Sequence, residues 1–286
     1  MRMGASKQPM NFAFEWEDSV VFLSVSVQQF AERVGFYLDI VPVACRVAGE
    51  SDVEVEVLSS GGFDVSFAGR QRHCENSQDC LVAILTFVSA SFLRKTRHLV
   101  LHSGAICIDD QAVLFVGEPR AGKSLFALTA WLAGIPLIGD DWIAIDCEQR
   151  TVIPFPKTLK PRLSFDSLTT AAQNRISKDD YVEGRLHEEH RLVISRKTAG
   201  MVGYAERKPV SRMLWLERTT ETSAISPLKK QEAIEILLSQ VVPTKSASVL
   251  AILEVLQPLV NCGACQRLAI GENESAQAVH RLLQPE

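Results

Sequence analysis

The chain has 286 residues, 47% hydrophobic and 22% charged, which excludes a wholly disordered or collagen-like polymer. Its 30 Lys and Arg against 34 Asp and Glu leave a formal net charge of −4, and a dedicated nucleic-acid binder would be basic. No apolar run reaches the roughly 18 residues of a membrane helix, and no basic-then-apolar stretch opens the chain. A soluble, cytoplasmic protein is expected, with neither a nucleic-acid nor a membrane partner.

The predicted elements begin with a strand over 20–27. Val53, Val55 and Val57 alternate with Glu54 and Glu56, the pattern of a half-buried strand. A Ser- and Gly-rich turn at 59–62 follows, and Phe63, Val65 and Phe67 resume the alternation, which predicts a hairpin. Residues 80–93 predict a packed helix whose basic end, Arg94 and Lys95, suits the helix dipole. Residues 1–95 thus predict a small α+β domain, and 96–286 a second, α/β domain.

The second domain opens with short strands over 99–101 and 105–108. Asp109 and Asp110 mark a turn, and residues 112–116 are continuously apolar, as in a strand buried on both faces. A Gly-bounded loop leads to a helix over 125–133, with Leu125, Phe126, Leu128, Trp131 and Leu132 as its apolar side and Gly134 as its stop. A strand over 135–138 ends at Gly139, Asp140 and Asp141. Farther on, the pattern predicts helices over 232–241 and 275–283 and a strand over 266–270.

The seven cysteines are odd in number and scattered, so no disulfide framework is expected. Cys262 and Cys265 form a lone CxxC, but no second tight pair completes a zinc site. Ordinary buried thiols are expected. His187 and His190 lie in a charged run that reads as a solvated face or a mobile loop. Lys157, Lys160 and Arg162 read as a solvated segment among prolines, with contact to ATP or an acidic acceptor as the alternative. Arg191 and Arg196 are candidate lid arginines by residue type alone.

The chemistry is carried by Gly117, Glu118, Pro119, Arg120, Ala121, Gly122, Lys123 and Ser124, which match GxxxxGK[ST]. The glycines let backbone N–H groups converge on phosphate oxygens, Lys123 reaches the β and γ phosphates, and the Ser124 hydroxyl ligates Mg²⁺. The helix N-terminus adds attraction for anions. A chance match in such a chain has odds of roughly 1%. This one has the required strand before it and helix after it. Together with the following Leu125, these are the candidate nucleotide-binding residues.

Asp140 and Asp141 end the next strand. Adjacent carboxylates beside a phosphate loop suit Mg²⁺ binding and general-base work. His102 is brought to the loop by register. If Asp109 and Asp110 form a two-residue turn, Ile108 faces Gln111, and continuing the count sets His102 opposite Gly117; a three-residue turn sets it opposite Glu118, and either places it next to the loop.

From His102 through the loop to Asp141, the sequence resembles the C-terminal domain of HPr kinase/phosphorylase. It is nearer to the HPr-kinase-like kinases of peptide biosynthetic clusters, including those of lasso peptides. The clear part spans about 99–145. Weaker similarity continues at 154–160 and 213–218. The resemblance implies a phosphoenolpyruvate-carboxykinase-like P-loop α/β domain that uses ATP and Mg²⁺ to phosphorylate a serine hydroxyl. It implies Asp140 as the proton acceptor, Asp141 as its partner near the metal alongside Ser124, and His102 beside both. The roles of the two carboxylates are interchangeable on sequence grounds. Three departures point away from HPr as acceptor. Leu125 replaces the family's Glu, Arg120 stands where Gly is common, and the downstream Arg-Gly-x-Gly is absent.

The expected activity is therefore ATP-dependent transfer to serine in a peptide or protein, with the N-terminal domain positioning that acceptor. The alternatives are a kinase of a small hydroxylated metabolite, an ATP-binding regulator that docks a partner, and a hydrolytic ATPase. A homo-oligomer is compatible with all of them.

Overall fold

The computed structural model describes residues 9–45, 51–58, 60–186, 189–244, 249–261 and 263–271. Contacts divide the chain into two compact units, Met1–Thr96 with Pro156–Thr198, and Arg97–Phe155 with Ala199–Glu286. The first cut lies after Thr96, beside the 95/96 boundary expected from the sequence. Residues 156–198, grouped by the sequence with the second domain, pack instead with the first unit.

The first unit begins with β1 (Met10–Trp16), β2 (Ser19–Val25), α1 (Gln28–Leu38), β3 (Val43–Cys45), β4 (Val53–Val57), β5 (Phe63–Phe67), β6 (Arg70–Cys74) and α2 (Ser77–Lys95). β2 stops short of the expected strand because Val27 already caps α1. The six strands form one sheet in the order β3-β1-β2-β4-β5-β6. The expected hairpin is present, with Val57 opposite Phe63. Asn76 caps α2, its side-chain oxygen accepting from the Gln78 and Asp79 N–H groups at 3.0 and 2.9 Å. Leu81 to Leu85, Val88 and Phe92 of α2 are buried.

The second unit follows with β7 (Leu99–Leu101), β8 (Gly104–Ile108), β9 (Gln111–Val116), α3 (Lys123–Leu132), β10 (Leu137–Gly139), β11 (Ile143–Asp146) and β12 (Thr151–Ile153). The chain then returns to the first unit for α4 (Thr170–Gln173) and the hairpin β13 (Tyr181–Leu186) to β14 (Glu189–Ile194). β13 packs on α2, Gly184 lying against Val82 and Asp79. With the sheet and β13 both against it, α2 is apolar on more than one side, which is why its sequence reads as a continuous run.

β15 (Lys208–Thr219), β16 (Ala224–Pro227), α5 (Lys230–Ser239), β17 (Val241–Val242), α6 (Val249–Asn261) and β18 (Cys265–Gly271) complete the second unit. Its ten-stranded sheet runs β10-β8-β9-β15-β12-β11-β7-β17, with β18 and β16 joined through β15. β9 and β18 each pair parallel with β15. On one face, Ala112, Leu114, Val116, Met213 and Trp215 pack with Ala233 and Leu237 of α5 and Val255, Leu256 and Leu259 of α6. On the other, Phe115 meets Phe126 of α3 edge-on at 5.0 Å. The expected helix over 275–283 lies outside the described residues.

Burial pushes the Cys74, Cys80, Cys107 and Cys147 thiols up, the behaviour of packing residues rather than nucleophiles. Cys265 is buried at the start of β18, and Cys262 lies outside the described residues. No helix among the described residues is long and apolar enough to cross a membrane.

Candidate functional site

The hairpin from β8 to β9 sets the site's frame. Asp109 and Asp110 form a two-residue turn with φ of 50° and 61°, and Ile108 faces Gln111 as the register requires. The ladder ends at Gly104 opposite Phe115. It does not extend to pair His102 with Gly117, so that expectation is corrected. The reason is local. β7 pairs with β11 and β17, and Ser103 breaks the strand, its hydroxyl donating to the carbonyls of Gly104 at 2.7 Å and Phe115 at 3.2 Å.

The candidate phosphate loop, Gly117–Ser124, leaves the C-terminal end of β9. Gly117 is buried, and an added Cβ there would stand 3.0 Å from the Leu216 carbonyl of β15. Glu118, Pro119 and Arg120 are exposed, and Ala121 donates back to the Glu118 carbonyl at 3.0 Å. Arg120 at φ 72° and Gly122 at φ 96° are both left-handed. Gly122 caps α3, which starts at Lys123, two residues before the expected 125. Lys123 is 8% exposed, and its Nζ donates to the Gly117 carbonyl at 2.8 Å and the Glu118 carbonyl at 3.4 Å. Its ammonium group thus lies over the loop it closes. Ser124 is half-buried in the first turn. Leu125 is 43% exposed, so it does not belong to the apolar side of α3.

The acidic pair leaves β10. This strand is antiparallel to β8, which is antiparallel to β9, so β10 and β9 run the same way. Asp140 and Gly117 therefore emerge at one end of the sheet, about 10 Å apart across β8. Asp140 is 1% exposed, and its carbonyl accepts from the Trp142 N–H at 2.9 Å. Asp141 adopts a left-handed φ of 72°, a conformation disfavoured for a residue with a Cβ. His102 Nε2 lies 2.7 Å from Asp141 Oδ1, both side chains being 38% exposed. The His102 N–H donates to the Gln240 carbonyl at 2.7 Å, a support supplied by the end of α5. Trp142 packs edge-on against Phe155 at 5.6 Å and anchors the turn that carries the acids.

No family model matches the chain, and no curated protein matches it. Among the solved structures similar to it is the Hpr(Ser) kinase/phosphatase from Coxiella burnetii. The similarity has 18% identity, covers 64% of this chain and 93% of that one, and has a TM-score of 0.32.

The other sequence candidates lie in the first unit. Lys157 is buried and Lys160 Nζ donates to the Thr86 hydroxyl at 2.8 Å, which corrects the solvated reading for both. Arg162 and Arg191 both ion-pair with Glu189. Arg196 is 2% exposed and donates to the Lys157 carbonyl at 3.1 Å, the setting of a core residue rather than a mobile lid. His190 is exposed, and His187 lies outside the described residues.

One residue without an assigned role belongs at the loop. The Arg218 guanidinium, from the end of β15, lies against Gly122. Only the pairing of β15 with β9 brings it there, and no local pattern announces it.

The arrangement fits a bound polyphosphate. The left-handed Gly122, a lysine ammonium and the first-turn N–H groups of α3, which have no intrahelical acceptor, converge on one loop. Among the described residues, no cluster of three or more His, Cys, Asp or Glu side chains could hold a metal. An ion here would share its ligands between Ser124, an Asp and the phosphates themselves, as phosphate-loop Mg²⁺ does.

Proposed function

We propose that the chain is an ATP- and Mg²⁺-dependent phosphotransferase that moves the γ-phosphoryl group to a serine hydroxyl of a peptide or protein other than HPr. One observation carries the reading. The phosphate loop and the Asp140–Asp141 pair leave like-directed strands at the same sheet end, with only β8 between them. Ligands bind at the carboxyl ends of such strands.

Lys123, the loop backbone and the first turn of α3 would hold the β and γ phosphates. Ser124 and Asp141 would ligate Mg²⁺, which when bound neutralises charge on the phosphates. Asp140 accepts the proton of the attacking hydroxyl. The His102–Asp141 hydrogen bond holds Asp141 in its left-handed turn. The site's contribution is positioning and electrostatics, which supply most of the catalysis in phosphoryl transfer. The serine and peptide assignment follows from the resemblance over 99–145. Leu125, Arg120 and the missing Arg-Gly-x-Gly support an acceptor other than HPr.

The test uses γ-labelled ATP with Mg²⁺ and a host lysate split into macromolecular and small-molecule fractions. The proposal expects label on serine in a peptide or protein. Label in the small-molecule fraction would replace it with a metabolite kinase, and free phosphate alone with an ATPase. No turnover would leave a nucleotide-binding regulator.

A further inference from the structure

We propose that Arg218 is a phosphate-binding residue of the Gly117–Ser124 loop, supplied in cis from the end of β15. The proposal rests on the nucleotide-binding reading above and deepens it.

The placement follows from strand parity. Met213 and Trp215 face the core built with α5 and α6. Side chains alternate along a strand, so Leu214, Leu216 and Arg218 face the other side. That is the side of Phe115 and α3, since Leu214 is level with Phe115 and Phe115 packs on Phe126. Trp215 is level with Val116, the last residue before the loop. Past that point β15 runs beside the loop. The guanidinium comes to rest at Gly122, where an added Cβ would stand 2.9 Å from Nη2 and 3.3 Å from Nε. Gly122 serves twice, supplying the positive φ of the cap and the room for Arg218.

The charge of Arg218 is available for a ligand. Its neighbour Glu217 faces the opposite side, accepting from Trp215 Nε1 at 2.8 Å and pairing with Arg267 at 3.6 Å. Arg218 is exposed, and among the described residues no hydrogen bond or ion pair engages its guanidinium. An exposed arginine without a counter-ion would ordinarily extend into water. Here it lies on the cap of the helix whose first N–H groups attract anions. A guanidinium offers its donors in a planar fork that matches two phosphate oxygens at once, which a lysine cannot do. Lys123 at the Gly117 and Glu118 carbonyls and Arg218 at Gly122 would thus engage one polyphosphate chain.

The test is calorimetric titration of Mg²⁺ and AMP-PNP into the full chain and into Arg218→Ala, Arg218→Lys and Lys123→Ala, with melting temperatures measured without nucleotide. Loss of a charge-assisted hydrogen bond predicts roughly 10-fold or greater weakening in Arg218→Ala. Arg218→Lys should recover part of the affinity, and the nucleotide-free melting temperature should not move. If Arg218→Ala binds like the wild type while Lys123→Ala is weakened, the proposal falls and the loop reading stands. If the wild type does not bind, both fall. If Arg218→Ala melts lower without nucleotide and Arg218→Lys recovers no affinity, Arg218 is structural and the proposal is overturned.

Discussion

The two ends of the parallel pair β9–β15 are built on opposite terms. Where the strands start, charges close on one another. Lys208 bridges Asp110 at 2.6 Å and Glu206 at 3.3 Å, and Arg207 holds Asp146. Where they finish, the phosphate loop, Lys123 and Arg218 gather positive charge, and β10 delivers Asp140 and Asp141 to the same end. Backbone strain follows the same division. The left-handed residues at the start, Asp109 and Asp110, are those a two-residue hairpin turn requires. At the finish, Arg120 and Asp141 are left-handed with no such requirement. Charge and strain that the fold does not need are expected where a ligand is to be met.

Substitutions at the two ends should therefore separate. The largest effect is expected at Asp140. Asp140→Asn should lower phosphoryl transfer by about 10²–10⁴-fold while nucleotide affinity holds, read by steady-state kinetics beside calorimetry. Equal turnover would remove Asp140 as the base. Next is Gly122→Ala. It places a Cβ at φ 96° and within 2.9 Å of Arg218, and strain at such a position costs about 1–3 kcal/mol. Both nucleotide affinity and melting temperature should fall, and an unchanged affinity would argue against the cradle.

At the starting end, the effects should fall on stability alone. Burial works to raise the Asp146 pKa, but hydrogen bonds from the Gln149 and Glu148 N–H groups and from Arg207 outweigh it and hold the carboxyl below its ordinary value. Such a group stabilises the fold above its unfolded pKa and loses that contribution as pH falls through the lower folded value. Asp146→Asn should cost about 1–3 kcal/mol at pH 7 in denaturant titrations, and the deficit should shrink below about pH 4. A deficit that stays constant with pH would exclude the carboxylate as its source. Smallest is Lys208→Met. Its partner Asp110 is exposed, so the loss should be about 0.2–1 kcal/mol, with transfer kinetics unchanged. A large loss of turnover there would erase the distinction between the ends.

Much of the candidate site's backbone frame was legible because its rules are local. The β4–β5 hairpin, the register from Asp109–Asp110, the phosphate loop and the acids after β10 each follow from a few consecutive residues. What failed had a longer reach. His102 could be placed beside the acids only by resemblance, since the ladder stops at Gly104 and the ring meets Asp141 from another strand's end. Residues 156–198 join the first unit through contacts such as the Ser89 hydroxyl donating to the Pro156 carbonyl at 2.7 Å, across 67 positions of sequence. α6 keeps a helical period, Glu254, Gln257 and Asn261 falling at i, i+3 and i+7 in an otherwise apolar run, but the internal Pro258 reads as a break. Leu125 looked like core because it is apolar, but the first turn of α3 turns it outward.

The most direct test of the account is hydrogen–deuterium exchange on the wild-type chain with and without Mg²⁺ and AMP-PNP. The account predicts new protection over 117–125, at the end of β15 and around Asp140–Asp141, and none at the Asp109–Asp110 turn. Protection at the turn end, or none at the loop, would contradict it.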